Sequence, residues 1–194
     1  MKTTRNIAFI ALFTAVLCVL APLSIPMVPV PISLGTLALY LIGALLDYKR
    51  APICVILYIL IGLIGVPVFA GYQAGYTVLV GPTAGFIFGY LPGVLAQSLL
   101  TTWKKDKFYM YPIAMILGTI FIYGFGVIWY FVSMLNKGKE ITIVEALMAC
   151  VVPFLIGDSI KIGVASVAAY KLRKFADKAL LIPSREEKRI AEKE

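Results

Sequence analysis

Two side chains of opposite charge, Asp158 and Lys161, interrupt an apolar run that reads Pro153-Phe-Leu-Ile-Gly-Asp-Ser-Ile-Lys161. At a spacing of three, a helix places both on one face. If that helix starts at Pro153, Asp158 sits about 7 Å and Lys161 about 12 Å along it, at 1.5 Å per residue. A charge at the centre of a membrane helix costs about 2.5–3.5 kcal/mol on insertion scales. For a purely structural purpose, apolar packing would serve at least as well as a self-neutralising pair. The pair therefore points to a ligand site, with a bundle staple and a proton relay as the other roles open to it. A carboxylate accepts N–H donors, and an ammonium attracts a carboxylate or carbonyl. The matching guest is a small molecule with an amide-like or ureido edge and an acidic tail.

Other chemistries are excluded by what the chain lacks. It contains no histidine, which removes His-based catalysis and His-ligated metal sites. No G-x-x-x-x-G-K-[ST] run occurs, so ATP-driven work must come from a partner. Cys18, Cys54 and Cys150 lie singly in apolar runs and read as small buried hydrophobes. No enzyme site, cofactor or metal is expected.

The elements that must hold the pair are set by composition. Of 194 residues, 61% are hydrophobic and 14% charged, against about 45–50% and 25% in a soluble domain. A soluble fold of this size could not hide so much apolar surface, whereas lipid solvates it. Six apolar segments follow, at 5–23, 33–48, 51–66, 83–103, 109–135 and 143–172. The second and third fall short of the ~20 residues of a straight span. The expected fold is an all-α integral membrane protein of six transmembrane helices. Residues 1–175 form its single domain, and 176–194 a charged cytoplasmic tail. The first segment is read as an uncleaved span, since no small-residue cleavage site follows it.

Charge then orients the chain. The net charge of +8 is carried in short clusters between apolar runs, a pattern of topology signals rather than a nucleic-acid groove. Lys2 and Arg5 precede the first segment, and Lys49 and Arg50 lie between the second and third. Lys104, Lys105 and Lys107 lie between the fourth and fifth, and Lys171, Arg173 and Lys174 follow the sixth. With six crossings all four groups share one side, which puts both termini in the cytoplasm. Lys137, Lys139, Glu140 and Glu145 are the charges on the other side.

The two outer connections on that other side are otherwise apolar. Pro22-Leu-Ser-Ile-Pro-Met-Val-Pro-Val-Pro-Ile-Ser33 is too rich in proline for helix and favours a stiff, extended backbone. Residues 65–85 are dense in glycine and aromatics. Apolar, non-helical backbone at membrane depth is tolerated where it packs on protein or lines a cavity. These connections are expected to wall an outward-facing pocket, with Phe69, Tyr72 and Tyr76 excluding water. On the first segment, Ala8, Ala11 and Ala15 form a small-residue stripe suited to close helix approach, within this chain or against a partner. Gln97, Trp103 and Trp129 read as packing or interfacial residues.

Several runs together resemble the BioY family, the biotin-specific S components of energy-coupling factor (ECF) vitamin transporters. They are Pro29-Val-Pro-Ile-Ser-Leu34, Gly62-Leu-Ile-Gly-Val-Pro-Val-Phe-Ala-Gly71, Gly81-Pro-Thr-Ala-Gly-Phe86 and Pro153-Phe-Leu-Ile-Gly-Asp-Ser-Ile-Lys161. The likeness runs in order along nearly the whole chain, with departures from the common pattern at Gly35, Tyr72 and Ala84. It implies a six-helix bundle in the bacterial cytoplasmic membrane that captures biotin on its outer side. It also implies partners: a membrane coupling subunit and two cytoplasmic ATPases. Asp158 and Lys161 match the family's ligand-binding pair on the last helix, and Ala11 and Ala15 match its coupling-subunit motif, with Ala8 extending the stripe. Ser33, Phe69, Tyr76, Gly81 and Gly85 complete the expected substrate contacts. The competing readings are a stand-alone carrier, proton-coupled through Asp158, an S component for another vitamin, and a purely structural or assembly subunit.

Overall fold

The computed structural model describes residues 2–103 and 107–180. Lys104, Lys105 and the part of the expected tail from 181 onward lie outside the described residues. The chain is mostly helical. Helix α1 (Lys2–Leu20) leads into strands β1 (Ser24–Ile25) and β2 (Ile32–Ser33), followed by α2 (Gly35–Leu45) and α3 (Ala51–Leu63). A single-turn helix α4 (Tyr76–Leu79) precedes α5 (Ala84–Trp103) and α6 (Met110–Asn136). The chain then forms α7 (Ile143–Cys150) and α8 (Val152–Leu180). Helix α8 continues past residue 175, where the expected tail begins.

The proline-rich connection folds as a short antiparallel hairpin, with Ser24 opposite Ser33 and Ile25 opposite Ile32. Its prolines cannot donate to a ladder, which keeps the paired region to two residues per strand. Val28 at the tip is exposed, while Val30 turns inward against Tyr130 and Phe154. Ser33 ties the hairpin to both neighbouring helices. Its hydroxyl donates to the Ala21 carbonyl at 2.7 Å and accepts the Gly35 N–H at 2.8 Å.

The second outer connection is irregular for a local reason. Gly65, at φ +104°, ends α3 in a conformation that side chains resist. The chain then bridges Phe69 to Gln73 around a 3-10 turn. Phe69 folds back over Gly62, leaving no room there for a β-carbon. Its ring meets Tyr58 edge-on at 5.5 Å between centroids.

Helices α5 and α6 make the closest pair. A β-carbon on Gly93 would stand 2.8 Å from the Gly118 carbonyl, and one on Gly89 2.9 Å from the Ile122 backbone. Glycines at four-residue spacing thus let two backbones touch, as small residues do between membrane helices. Helix α2 is short, about 17 Å at 1.5 Å per residue. Two of its terminal carbonyls, orphaned by the helix end, are taken by neighbours: Thr101 Oγ1 donates to Gly43 O at 2.7 Å, and Arg173 donates to Ala44 O.

The expected sixth segment is two helices, not one. Pro153 has no N–H for the Ala149 carbonyl and its ring would collide with it, so the helix breaks at Val151 (φ −124°, ψ −53°). The eight-residue α7 is held by a reciprocal cap in which Glu145 and Thr142 bind each other's backbone N–H. Among the described residues, three helices are long and apolar enough to cross a membrane: Ala84–Trp103, Met110–Asn136 and Val152–Arg173. Thr4–Leu20, Gly35–Leu45 and Ala51–Leu63 are apolar but shorter. Exposed isoleucines such as Ile120 and Ile128 on α6 and Ile156 and Ile160 on α8 form an apolar belt much larger than a soluble monomer exposes.

Candidate functional site

The hairpin, the loop around Phe69, and helices α2, α3, α5, α6 and α8 line a cavity of ≈ 550 Å³, within the range of small-molecule sites. Tyr58, Phe69, Phe86, Ile87, Tyr90 and Ile122 supply much of its apolar wall, and Pro26, Pro29 and Pro31 of the hairpin another part. Tyr58 and Tyr90 lie with ring centroids 6.3 Å apart and planes tilted by 30° across α3 and α5, and Phe69 braces Tyr58.

The polar corner is built from four elements. Helix α8 brings Asp158 and Lys161 onto one face, and Lys161 Nζ lies 2.9 Å from Asp158 Oδ1. Asp158 is only 4% exposed. Thr36, in the first turn of α2, donates to Asp158 Oδ1 at 3.1 Å and accepts from Lys161 at 3.0 Å. Tyr123 of α6 donates to Asp158 Oδ2 at 2.6 Å. Lys161 also donates to the Ser33 carbonyl at 2.7 Å, which joins the hairpin to the last helix. A buried charge is tolerable when paired and hydrogen-bonded, and here both conditions hold. One turn further along, Tyr40 and Thr119 share a buried hydroxyl bond of 2.7 Å, and Gln97 Nε2 donates to the Tyr40 carbonyl at 2.7 Å.

Of the residues expected at the site, Asp158, Lys161, Ser33 and Phe69 line the cavity. Tyr76, Gly81 and Gly85 do not. Tyr76 is 68% exposed on the one-turn α4. The Gly81 carbonyl is occupied by Trp129 Nε1 at 2.8 Å, and Gly85 lies beneath the Trp129 side chain on the α5–α6 seam. Tyr72 also points outward. These positions shape the loop and the seam rather than the chamber. Gln97 and Trp129 are packing residues through the bonds just given. Ala8, Ala11 and Ala15 are all exposed along α1.

Sequence reasoning missed Thr36 and Tyr123 of the polar corner, and Tyr58, Phe86, Ile87, Tyr90 and Ile122 of the apolar wall. Thr36 follows the Pro-x-Ser-Leu run by two positions and is four residues before Tyr40, a weak hint that it faces inward. Tyr123 stands among many aromatics of α6 and carries no such signal. Among the described residues, no group of three or more His, Cys, Asp or Glu side chains could hold a metal ion. All three cysteines are free. The corner can grip a small polar group while the aromatic wall excludes water and strengthens those bonds.

Comparison with known proteins bears on that chemistry. Residues 1–178 match the model of the BioY family. The biotin transporter BioY of Thermotoga maritima is 36% identical over 172 residues, 88% of this chain and 96% of the relative. That of Rhodobacter capsulatus is 31% identical over 191 residues, 91% of this chain and 97% of the relative. A crystal structure of the S-component for biotin from an ECF-type ABC transporter superposes with a TM-score of 0.79 at 27% identity, covering 89% of this chain and 93% of that one.

Proposed function

We propose, from the premise that this chain belongs to the BioY family, that it is the biotin-capturing S component of an ECF-type vitamin transporter. The observation that carries this reading is the aromatic-lined cavity with a buried Asp158–Lys161 pair on its wall. Biotin fits the chamber chemically. Its bicyclic ring suits Tyr58, Phe69 and Tyr90, and its ureido N–H suits the Asp158 carboxylate. Its valerate chain then runs away from the corner, so Asp158 is a ligand contact and Lys161 chiefly its counter-charge. Ser33 and Phe69 are further contacts in this proposal.

The membrane arrangement is proposed with it. Six spans, three of them short, cross the bacterial cytoplasmic membrane, with α7 and α8 together completing the last. Both termini lie in the cytoplasm, supported by Lys49 and Arg50 after α2, Lys107 before α6, and Lys171 and Arg173 late in α8. The hairpin and cavity lie toward the opposite ends of these helices. The exposed Ala8, Ala11 and Ala15 stripe is the proposed contact with a membrane coupling subunit, whose two cytoplasmic ATPases supply the energy. Release requires that the partner favour one state of this subunit differentially.

The test is titration of the detergent-purified protein with biotin, thiamine and riboflavin, alongside uptake in cells with and without the ATPase module. Saturable binding of biotin alone, and uptake raised by the module, is expected. Saturable binding of another vitamin in preference to biotin would refute the substrate assignment.

A further inference from the structure

The corner around Asp158 can be audited proton by proton. An ammonium has three hydrogens, and Lys161 has three acceptors: Ser33 O at 2.7 Å, Thr36 Oγ1 at 3.0 Å and Asp158 Oδ1 at 2.9 Å. The Thr36 hydroxyl hydrogen goes to Asp158 Oδ1 and the Tyr123 hydrogen to Oδ2. Every side-chain hydrogen at the corner is committed within the protein. Acceptor capacity is what remains. A carboxylate offers about four lone-pair sites, of which Lys161, Thr36 and Tyr123 occupy three. The single bond to Oδ2 leaves the free capacity on that oxygen, beside the cavity that Asp158 and Tyr123 both line.

We propose that Tyr123 is a positioning residue that fixes the specificity of the site: by holding Asp158 Oδ2, it aims the unused lone pair at the ligand and restricts the corner to an N–H donor. This rests on the reading of the cavity as the biotin site. Without the Tyr123 hydroxyl, Lys161 and Thr36 still hold Oδ1 but nothing in the protein holds Oδ2, so the carboxylate keeps its charge while its free lone pair loses its direction. A charge-assisted bond of this kind is roughly twice as strong as a neutral one. The fold supplies its own control one helical turn away. Tyr40 and Thr119 lie four residues from Thr36 and Tyr123 on the same two helices and make an equally short phenol bond. That bond lies in the core, and neither residue lines the cavity.

The test compares Tyr123→Phe with Tyr40→Phe, each titrated with biotin and with biotin methylated at either ureido nitrogen. Tyr123→Phe is expected to weaken biotin binding about tenfold. It should weaken binding of one methylated isomer far less, so that the preference between them collapses. Tyr40→Phe is expected to lower the melting temperature and keep the preference of the unaltered protein. An unchanged preference in Tyr123→Phe, or an equal collapse in Tyr40→Phe, overturns this inference alone. Failure of the unaltered protein to bind biotin overturns the ligand reading and this inference together.

Discussion

Lys161→Met isolates what the buried pair costs and contributes. The substitution keeps the length of the apolar stem and deletes an ammonium that makes three hydrogen bonds. It leaves Asp158, 4% exposed, with Thr36 and Tyr123 but no counter-charge, and it strips the Ser33 carbonyl of its partner. Breaking a buried pair from one side costs about 3–5 kcal/mol. For a chain of this size 1 kcal/mol is roughly 2–4 °C, so the melting temperature should fall by roughly 6–20 °C. Asp158→Asn is the contrasting change. Its amide oxygen can still accept from Lys161 and Thr36, and its NH2 can donate to the Tyr123 oxygen, so it keeps hydrogen bonds that Lys161→Met loses; it also leaves the Lys161 ammonium, 11% exposed, without its counter-charge, and the cost is again about 3–5 kcal/mol. Binding separates the two changes, because Asp158→Asn places a donor where the proposed ligand N–H is accepted. A loss of 10-fold to 100-fold in affinity is expected there, on the order of a charged hydrogen bond of 1.5–3 kcal/mol. The double change Asp158→Leu, Lys161→Met should regain most of the stability lost in Lys161→Met without regaining binding. Thermal unfolding in detergent, followed with and without biotin, measures all four proteins. The reasoning fails if Lys161→Met is as stable as the unaltered protein, or if the double change is the least stable of the set.

Three further outcomes follow from other contacts. Gly62→Ala drives a β-carbon into the Phe69 ring, and overpacking of this kind costs about 1–3 kcal/mol; displacement of Phe69 from the cavity wall should also weaken biotin binding in the same titration. Gly93→Val would set its first side-chain carbon 2.8 Å from the Gly118 carbonyl, so the α5–α6 pair should separate and the yield of folded, monodisperse protein on size exclusion should drop sharply. In a background with the three native cysteines replaced by alanine, Lys107→Cys should react with a membrane-impermeant maleimide only in inverted vesicles, and Lys137→Cys only in intact cells. The reverse pattern would contradict the orientation proposed for the bundle.

Much of this architecture is legible in one dimension. The boundaries expected for the fourth and fifth segments, 83–103 and 109–135, fall within a residue of α5 and α6. The segment at 51–66 overruns α3 by three residues, because Gly65 ends the helix while the hydropathy continues. The extended character of residues 22–33 follows from proline alone. Pro153 carried the signal for the α7–α8 break, but apolar side chains run unbroken across it and hide the break from hydropathy. Tyr76, Gly81 and Gly85 were drawn toward the site by the runs they stand in. Their actual surroundings, an exposed surface for Tyr76 and Trp129 for the two glycines, are set by how α4 and α6 turn relative to α5.

By itself, then, the sequence determined that lipid surrounds most of this chain and that one Asp–Lys pair lies one helical turn apart on the last helix. Both properties depend on neighbours along the chain: transfer to an apolar solvent is summed residue by residue, and a spacing of three guarantees a shared helix face. Only the tertiary structure decided that Thr36, 122 residues from Asp158, and Tyr123, 35 residues from it, meet the same carboxylate. It also decided that Lys161 spends its hydrogens on the protein. Those contacts depend on the rotation and depth of α2, α6 and α8 about one another, which the packing of Tyr40, Tyr111, Met115, Ala165 and Ala169 sets and which no local pattern encodes.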